Sequence, residues 1–189
     1  MTLDERSSLT DVAFAACTAL FRAGVEAVLV GGSAAAYYAP AALQSFDADF
    51  VLRYGSSARA VIDALESIGF RRRASGDFAH EQTPYTVEFP AGPMMIGSDL
   101  VTGWATERRG DEILFVYTPT DVVRDRFLHH YAWPDVSAYQ AAVRVARALH
   151  DRIDWDTFTA WARREAANDR SYDVRELERF LREAGVRGA

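Results

Sequence analysis

The segment VLVGGSAAAYYAPAALQSFDADFVL, residues 28–52, limits the possible folds more than any other stretch of the chain. Val25–Val30 is mostly apolar and reads as a short buried strand that runs into Gly31-Gly32-Ser33. Ala34–Tyr38 leaves room for one or two helical turns before Pro40 ends them. Phe46–Leu52 then alternates apolar and acidic residues before turning wholly apolar, as a second strand does. A strand, a glycine turn, a short helix and another strand in this order predict an α/β core.

Strand side chains alternate, so Asp47 and Asp49 project from one face while Phe46, Ala48 and Phe50 project from the other. The two carboxylates lie about 7 Å apart along the backbone and can converge on shared cations. Without a partner they repel each other and lose solvation beside a core strand. The glycines permit close backbone approach to a ligand. The N–H groups opening the next helix, with the Ser33 hydroxyl, suit an anionic phosphate. Phosphate donors and a cation site on adjacent strands are what phosphoryl or nucleotidyl transfer requires. Tyr85–Phe89 adds a strand that carries Thr86 and Glu88 on one face, and Glu88 is the natural third carboxylate. An exposed acid on a half-solvated strand accounts for Glu88 equally well.

The remaining elements place this core within 189 residues. Leu9–Phe21 has helical periodicity with Gly24 as a stop, and Cys17 on its apolar face reads as a small core residue. Ser57 opens another helix. Phe70–Arg73 and Phe78–Glu81 are possible strands, and Val101–Thr106 with Ile113–Tyr117 reads as a hairpin. From Thr118 only helices are expected, over about 119–131, 136–149, 155–166 and 173–184. This divides the chain into an α/β (α+β) core, 1–117, and a C-terminal helical region, 118–189, packed on it. In the first of these helices, Val122, Val123, Phe127 and His130 share a face with Arg126 in its middle, whereas Arg124 points nearly opposite. An inward arginine must find an anion, either a phosphate or a buried acid of the fold. Tyr131 and Trp133, at that helix's end, read as packing in preference to base stacking. Arg71-Arg72-Arg73 and Arg108-Arg109 read as solvated loop charge, or as contacts to an acceptor or a phosphate.

Composition removes several classes of function. All 21 basic residues are arginine, so no mechanism that needs a lysine amine is open to this chain. One cysteine excludes an intramolecular disulfide and a multi-cysteine zinc cluster. The net charge of -6 disfavours long nucleic acid as a partner. No apolar run reaches the length of a membrane span, and the polar, acidic start does not resemble a signal peptide. A cytoplasmic location is expected.

With Val30, Gly31, Gly32 and Ser33, thirteen residues, then Asp47-Ala48-Asp49 between phenylalanines and Glu88 on a later strand, the chain resembles the nucleotidyltransferase superfamily of the DNA-polymerase-β type. It is most similar to minimal nucleotidyltransferase-like bacterial proteins, which include abortive-infection toxins. TPTDVVRDRFLHHYAW is similar to a helix that follows their sheet. The resemblance implies a mixed sheet flanked by helices and a two-metal mechanism. Asp47, Asp49 and Glu88 would hold two Mg²⁺ ions (with Mn²⁺ able to substitute), and Gly31, Gly32, Ser33 and Arg126 would bind a nucleoside triphosphate such as ATP. A hydroxyl on a protein, an RNA end or a small molecule would take the nucleotide, releasing pyrophosphate. Two departures are Glu88, where aspartate is more frequent, and arginine where the later helix often carries lysine. A second reading keeps the fold as an inactive module that binds a nucleotide or a protein partner, as in a toxin–antitoxin pair. A metal-dependent glycosyltransferase is a third reading, and the short chain and the Gly-Gly-Ser loop argue against it.

Overall fold

The computed structural model describes residues 3–41, 43–53, 55–132, 136–168 and 174–186. Helix α1 (Leu9–Arg22) begins at Ser8, whose hydroxyl accepts from the Asp11 N–H while the Asp11 carboxylate accepts from the Ser8 N–H. This reciprocal cap satisfies two donors that a helix start otherwise leaves open. Strand β1 (Ala27–Leu29) leads into α2 (Gly31–Tyr38), β2 (Asp47–Leu52) and α3 (Ala58–Ser67). Three short strands follow: β3 (Phe70–Arg72), β4 (Phe78–His80) and β5 (Thr86–Glu88).

The hairpin expected from Val101 starts later, pairing β8 (Ala105–Arg109) with β9 (Glu112–Val116). Val101 instead donates its N–H to the Met94 carbonyl and closes a smaller hairpin, β6 (Met95–Ile96) with β7 (Asp99–Leu100). Two-residue strands are too short for alternation to reveal them.

Seven strands form one mixed sheet in the order β3-β4-β5-β2-β1-β9-β8. Strand β2 lies at its centre, antiparallel to β1 and parallel to β5. Helices α4 (Pro119–Ala132), α5 (Val136–Ala148), α6 (Trp155–Asn168) and α7 (Val174–Ala184) follow, with a single 3-10 turn at His150–Arg152. Thr118 caps α4 by accepting from the Asp121 N–H at 3.2 Å. Phe127, Phe158 and Phe180 then knit α4, α6 and α7 together, with ring centroids 4.8–5.5 Å apart. One hydrophobic cluster runs from α1 and the sheet through these helices. Cys17 is in it, as expected, with burial pushing its thiol up to about 11. His130, placed on the apolar face, packs half-buried against Tyr139. The Tyr131 side chain and Trp133 lie outside the described residues. Among the described residues no helix is long and apolar enough to cross a membrane.

Arg124 points away from the Arg126 side of α4, as expected, but into a second covered face. Its side chain is buried, with NH1 2.9 Å from Asp121 and NH2 2.6 Å from Asp99, and its guanidinium lies 4.8 Å over the Trp161 ring. Periodicity placed it nearly opposite the Arg126 face and named no partner for it there. The β6–β7 hairpin and α6 cover the opposite face too. Glu165 of α6 completes this junction by accepting from the Ser98 N–H and hydroxyl. Only glycine fits at Gly97, where φ is +62° and a Cβ would come within 2.5 Å of the Glu165 carboxylate.

Candidate active site

The parallel pairing of β2 with β5 sets the acidic face. Asp47 stands opposite Thr86 and Asp49 opposite Glu88, so all four side chains leave the same side of the sheet. Neighbouring strands lie about 5 Å apart, which sets the Asp49–Glu88 spacing across the sheet. Thr86 donates its hydroxyl to Asp47 Oδ1 at 2.6 Å and so orients one carboxylate. Ala48, Phe50 and Val87 fill the opposite face and are buried. The apolar half of the alternation therefore anchors the strands, and the acidic half is left facing outward from the core.

The start of α2 meets this face from the next strand. Val30 donates its N–H to the Asp49 carbonyl at 2.9 Å, bringing the glycine turn beside the acids. Gly31 has φ +64°, a conformation costly for any residue with a Cβ. A Cβ at Gly31 would lie 3.3 Å from Asp49 Oδ2 and 3.7 Å from Arg126 NH2. One at Gly32 would lie 3.2 Å from Leu43 Cδ2 and 3.8 Å from Arg126 NH1. Arg126 of α4 thus reaches over the first turn of α2 and stands beside Asp49, as helical periodicity predicted. Asp125 holds it there, its Oδ2 accepting from Arg126 Nε at 3.0 Å and NH2 at 2.7 Å.

Ser33 has a different part from the one expected of it. Fully buried, its hydroxyl donates to the Val30 carbonyl at 2.8 Å and accepts from the Asp49 N–H at 3.1 Å. The hydroxyl is therefore committed to tying the first turn of α2 to β2. The backbone N–H groups of that turn are the donors left without an intrahelical partner.

Charge on this face is unbalanced. Burial, then repulsion from Glu88 and Asp47, raises Asp49 to about 6, against the opposing pull of Arg126. Glu88 is also raised, first by burial and then by Asp47 and Asp77. Among the described residues no three His, Cys, Asp or Glu side chains are already closed around a common metal position. Magnesium is commonly held by one or two carboxylates plus substrate phosphates, so hard oxygen donors spread along one face fit it without a preformed cage.

Three neighbours of the site were not singled out from sequence. Thr86 was assigned to the right face but given no role. Asp77 comes beside Glu88 because Phe78 pairs with Val87, a register that neither short strand reveals alone. Asp125 clamps its own chain neighbour, and residues one apart on a helix do not ordinarily face each other.

No family model matches the chain, and no curated protein matches it in sequence. Solved structures do match in shape. An antigenic nucleotidyltransferase-like protein from Paracoccidioides brasiliensis superposes with a TM-score of 0.51 at 14% identity, over 76% of this chain and 77% of that one. The antibiotic-resistance factor ANT(2'')-Ia gives a TM-score of 0.47 at 13% identity, over 81% of this chain and 90% of that one. Matched over three-quarters of both chains in the first comparison, the mixed sheet with its flanking helices is a nucleotidyltransferase-type fold.

Proposed function

We propose that this chain is a Mg²⁺-dependent nucleotidyltransferase, which moves a nucleoside monophosphate from a triphosphate to a hydroxyl acceptor. The observation that carries this reading is the surplus of negative charge on one face. Asp47, Asp49 and Glu88 crowd together there, Asp49 is raised to about 6, and Arg126 is the cation facing them. Such a surplus is costly in a resting fold and is relieved by bound cations.

Asp47, Asp49 and Glu88 would hold two Mg²⁺ ions. Bound there, Mg²⁺ supplies neutralisation of the triphosphate and of the charge that builds on the attacking and leaving oxygens. Gly31 and Gly32 leave room for the phosphates to approach the first turn of α2, whose N–H groups bind them. Arg126 adds charge-assisted donors from the opposite side. Ser33 contributes by holding that turn against β2, and through its N–H. Glu88 faces the acceptor and takes the hydroxyl proton as the acceptor oxygen bonds to the α-phosphorus. The bond from the α-phosphorus to the bridging oxygen breaks in line, and pyrophosphate leaves.

The test is isothermal titration of each nucleoside triphosphate with Mg²⁺ against wild type and Asp47→Asn/Asp49→Asn. Wild type should bind at least one triphosphate in a metal-dependent manner. The double variant should lose roughly 100-fold or more in affinity while keeping its fold by circular dichroism. No binding by wild type at millimolar concentration would rule the reading out.

A further inference from the structure

A cavity of about 560 Å³ opens under α3, on the side of the sheet away from the acids. Strand register fixes that side. Arg72 pairs with Phe78, Phe78 with Val87 and Val87 with Ala48, and such partners share a face. Phe89 and Leu52 continue this face two residues beyond Val87 and Phe50. The Phe89 ring agrees, lying 5.8 Å from Phe78 and 6.5 Å from Phe50. Helix α3 closes the chamber with Ala58, Val61 and Ile62. Its volume is in the range of small-molecule sites, and the sheet itself separates it from Asp47 and Asp49.

Three charged residues border this chamber: Arg72, Asp77 and Glu88. Glu88 alternates with Val87 and Asp77 with Phe78, so both carboxylates project from the acidic face instead. Asp77 is also answered locally, by Arg73 at 3.3 Å and by the Ser75 hydroxyl. Arg71, on the other side of β3 from Arg72, turns its NH1 to the Phe70 and Glu66 carbonyls. Arg72 is different: it stands exposed at the mouth, and among the described residues no carboxylate pairs with it. An apolar chamber thus carries a cation at its mouth that is not matched by an acid on the same side of the sheet.

We propose that this cavity is a second ligand site, separate from the acidic face, for a small apolar carboxylate. A ring or chain fills the chamber against Ile62, Phe78 and Phe89, and the carboxylate at its end meets Arg72. Burial of the apolar part supplies most of the affinity, and the guanidinium supplies the choice of charge. The assignment does not rest on nucleotide transfer, because the Glu88 carboxylate faces the other way.

The probe is phenylbutyrate, titrated by calorimetry alongside its uncharged amide and the amine phenylbutylamine. Wild type, Arg72→Ala and Ile62→Trp are compared, each with and without Mg·ATP. Wild type should bind the acid with a Kd of about a millimolar or tighter, in preference to the amide and the amine. Arg72→Ala should weaken the acid at least about threefold and erase its preference over the amide. Ile62→Trp, which fills the chamber, should lose all three probes. Arg72 is exposed, so Arg72→Ala keeps the fold and the test stands even if Ile62→Trp does not fold. Mg·ATP should leave the affinity for the acid within about threefold, whether or not the nucleotide binds. Failure of the acid to bind, an equal or stronger affinity for the amine, unchanged binding in Arg72→Ala or in folded Ile62→Trp, or displacement by Mg·ATP would each overturn the proposal. Failure of the nucleotide to bind would count against the transferase reading alone.

Discussion

Arg124 and Arg126 stand two residues apart on α4, and the charges around them add up differently. Arg124 meets Asp121 and Asp99, and Asp99 also takes Arg164 at 2.6 Å. Two arginines face two carboxylates there, and Trp161 lies under one of the guanidinium groups. Arg126 meets Asp125 directly and then faces Asp49, with Asp47 and Glu88 behind it. Matched charges beside a core hold elements together. Unmatched ones are costly unless a ligand completes them. Both arginines are largely buried and on one helix, so burial alone does not tell the two cases apart. The count of opposing charge does.

The comparison can be broken most directly at Arg124. Arg124→Met leaves Asp121 without its cation and Asp99 with Arg164 alone. A loss of about 2–3 kcal/mol is expected, lowering Tm by roughly 5–10 °C by thermal circular dichroism. Affinity for Mg·ATP should stay within about twofold. The converse is expected at Arg126. Arg126→Ala should weaken triphosphate binding by roughly 10- to 100-fold by calorimetry, with Tm changed by about 2 °C or less. If the two variants gave the same pattern, the division between a structural and a ligand-binding arginine would be wrong.

A smaller effect sharpens the electrostatic side. Asp49 is raised from 3.8 to about 6, so the fold favours its neutral form. The stability it contributes is complete below about pH 4 and is lost as pH rises through about 6. Asp49→Asn should therefore raise Tm at pH 7 by a few degrees and flatten the pH dependence between those values. Binding has the opposite sign, because metal needs the ionised carboxylate. Affinity of wild type for Mg·ATP should fall below about pH 6, up to tenfold per pH unit.

Much of the site could be read before any coordinates, because its logic is local. Alternation put Asp47 and Asp49 on one face and Thr86 with Glu88 on another strand's face. Helical periodicity turned Arg126 inward. What joined these pieces was not local. The register of β2 against β5 sets Glu88 opposite Asp49, and residues between 52 and 86 decide it. Ser33 is the instructive case: its place beside a glycine turn pointed to phosphate, while its burial gives the hydroxyl to Val30 and Asp49. The direction of Arg124 was legible but its partners were not, since the hairpin that covers it comes from strands of two residues each.

The parallel seam between β2 and β5 also bears on how the molecule forms and opens. Thr86 reaches Asp47 across 39 residues of chain, whereas β3, β4 and β5 join through close antiparallel neighbours. Pairings of long sequence separation carry the larger loop-closure entropy and tend to form late. Pairings within the three-stranded end close the shorter loops, and the acidic face is complete only once β5 has paired with β2. Opening the seam would part Asp49 from Glu88. A ligand that bridges those two carboxylates would act as a strap across the last-formed joint, so amide protons of β2 and β5 should gain the most protection from exchange when the site is filled.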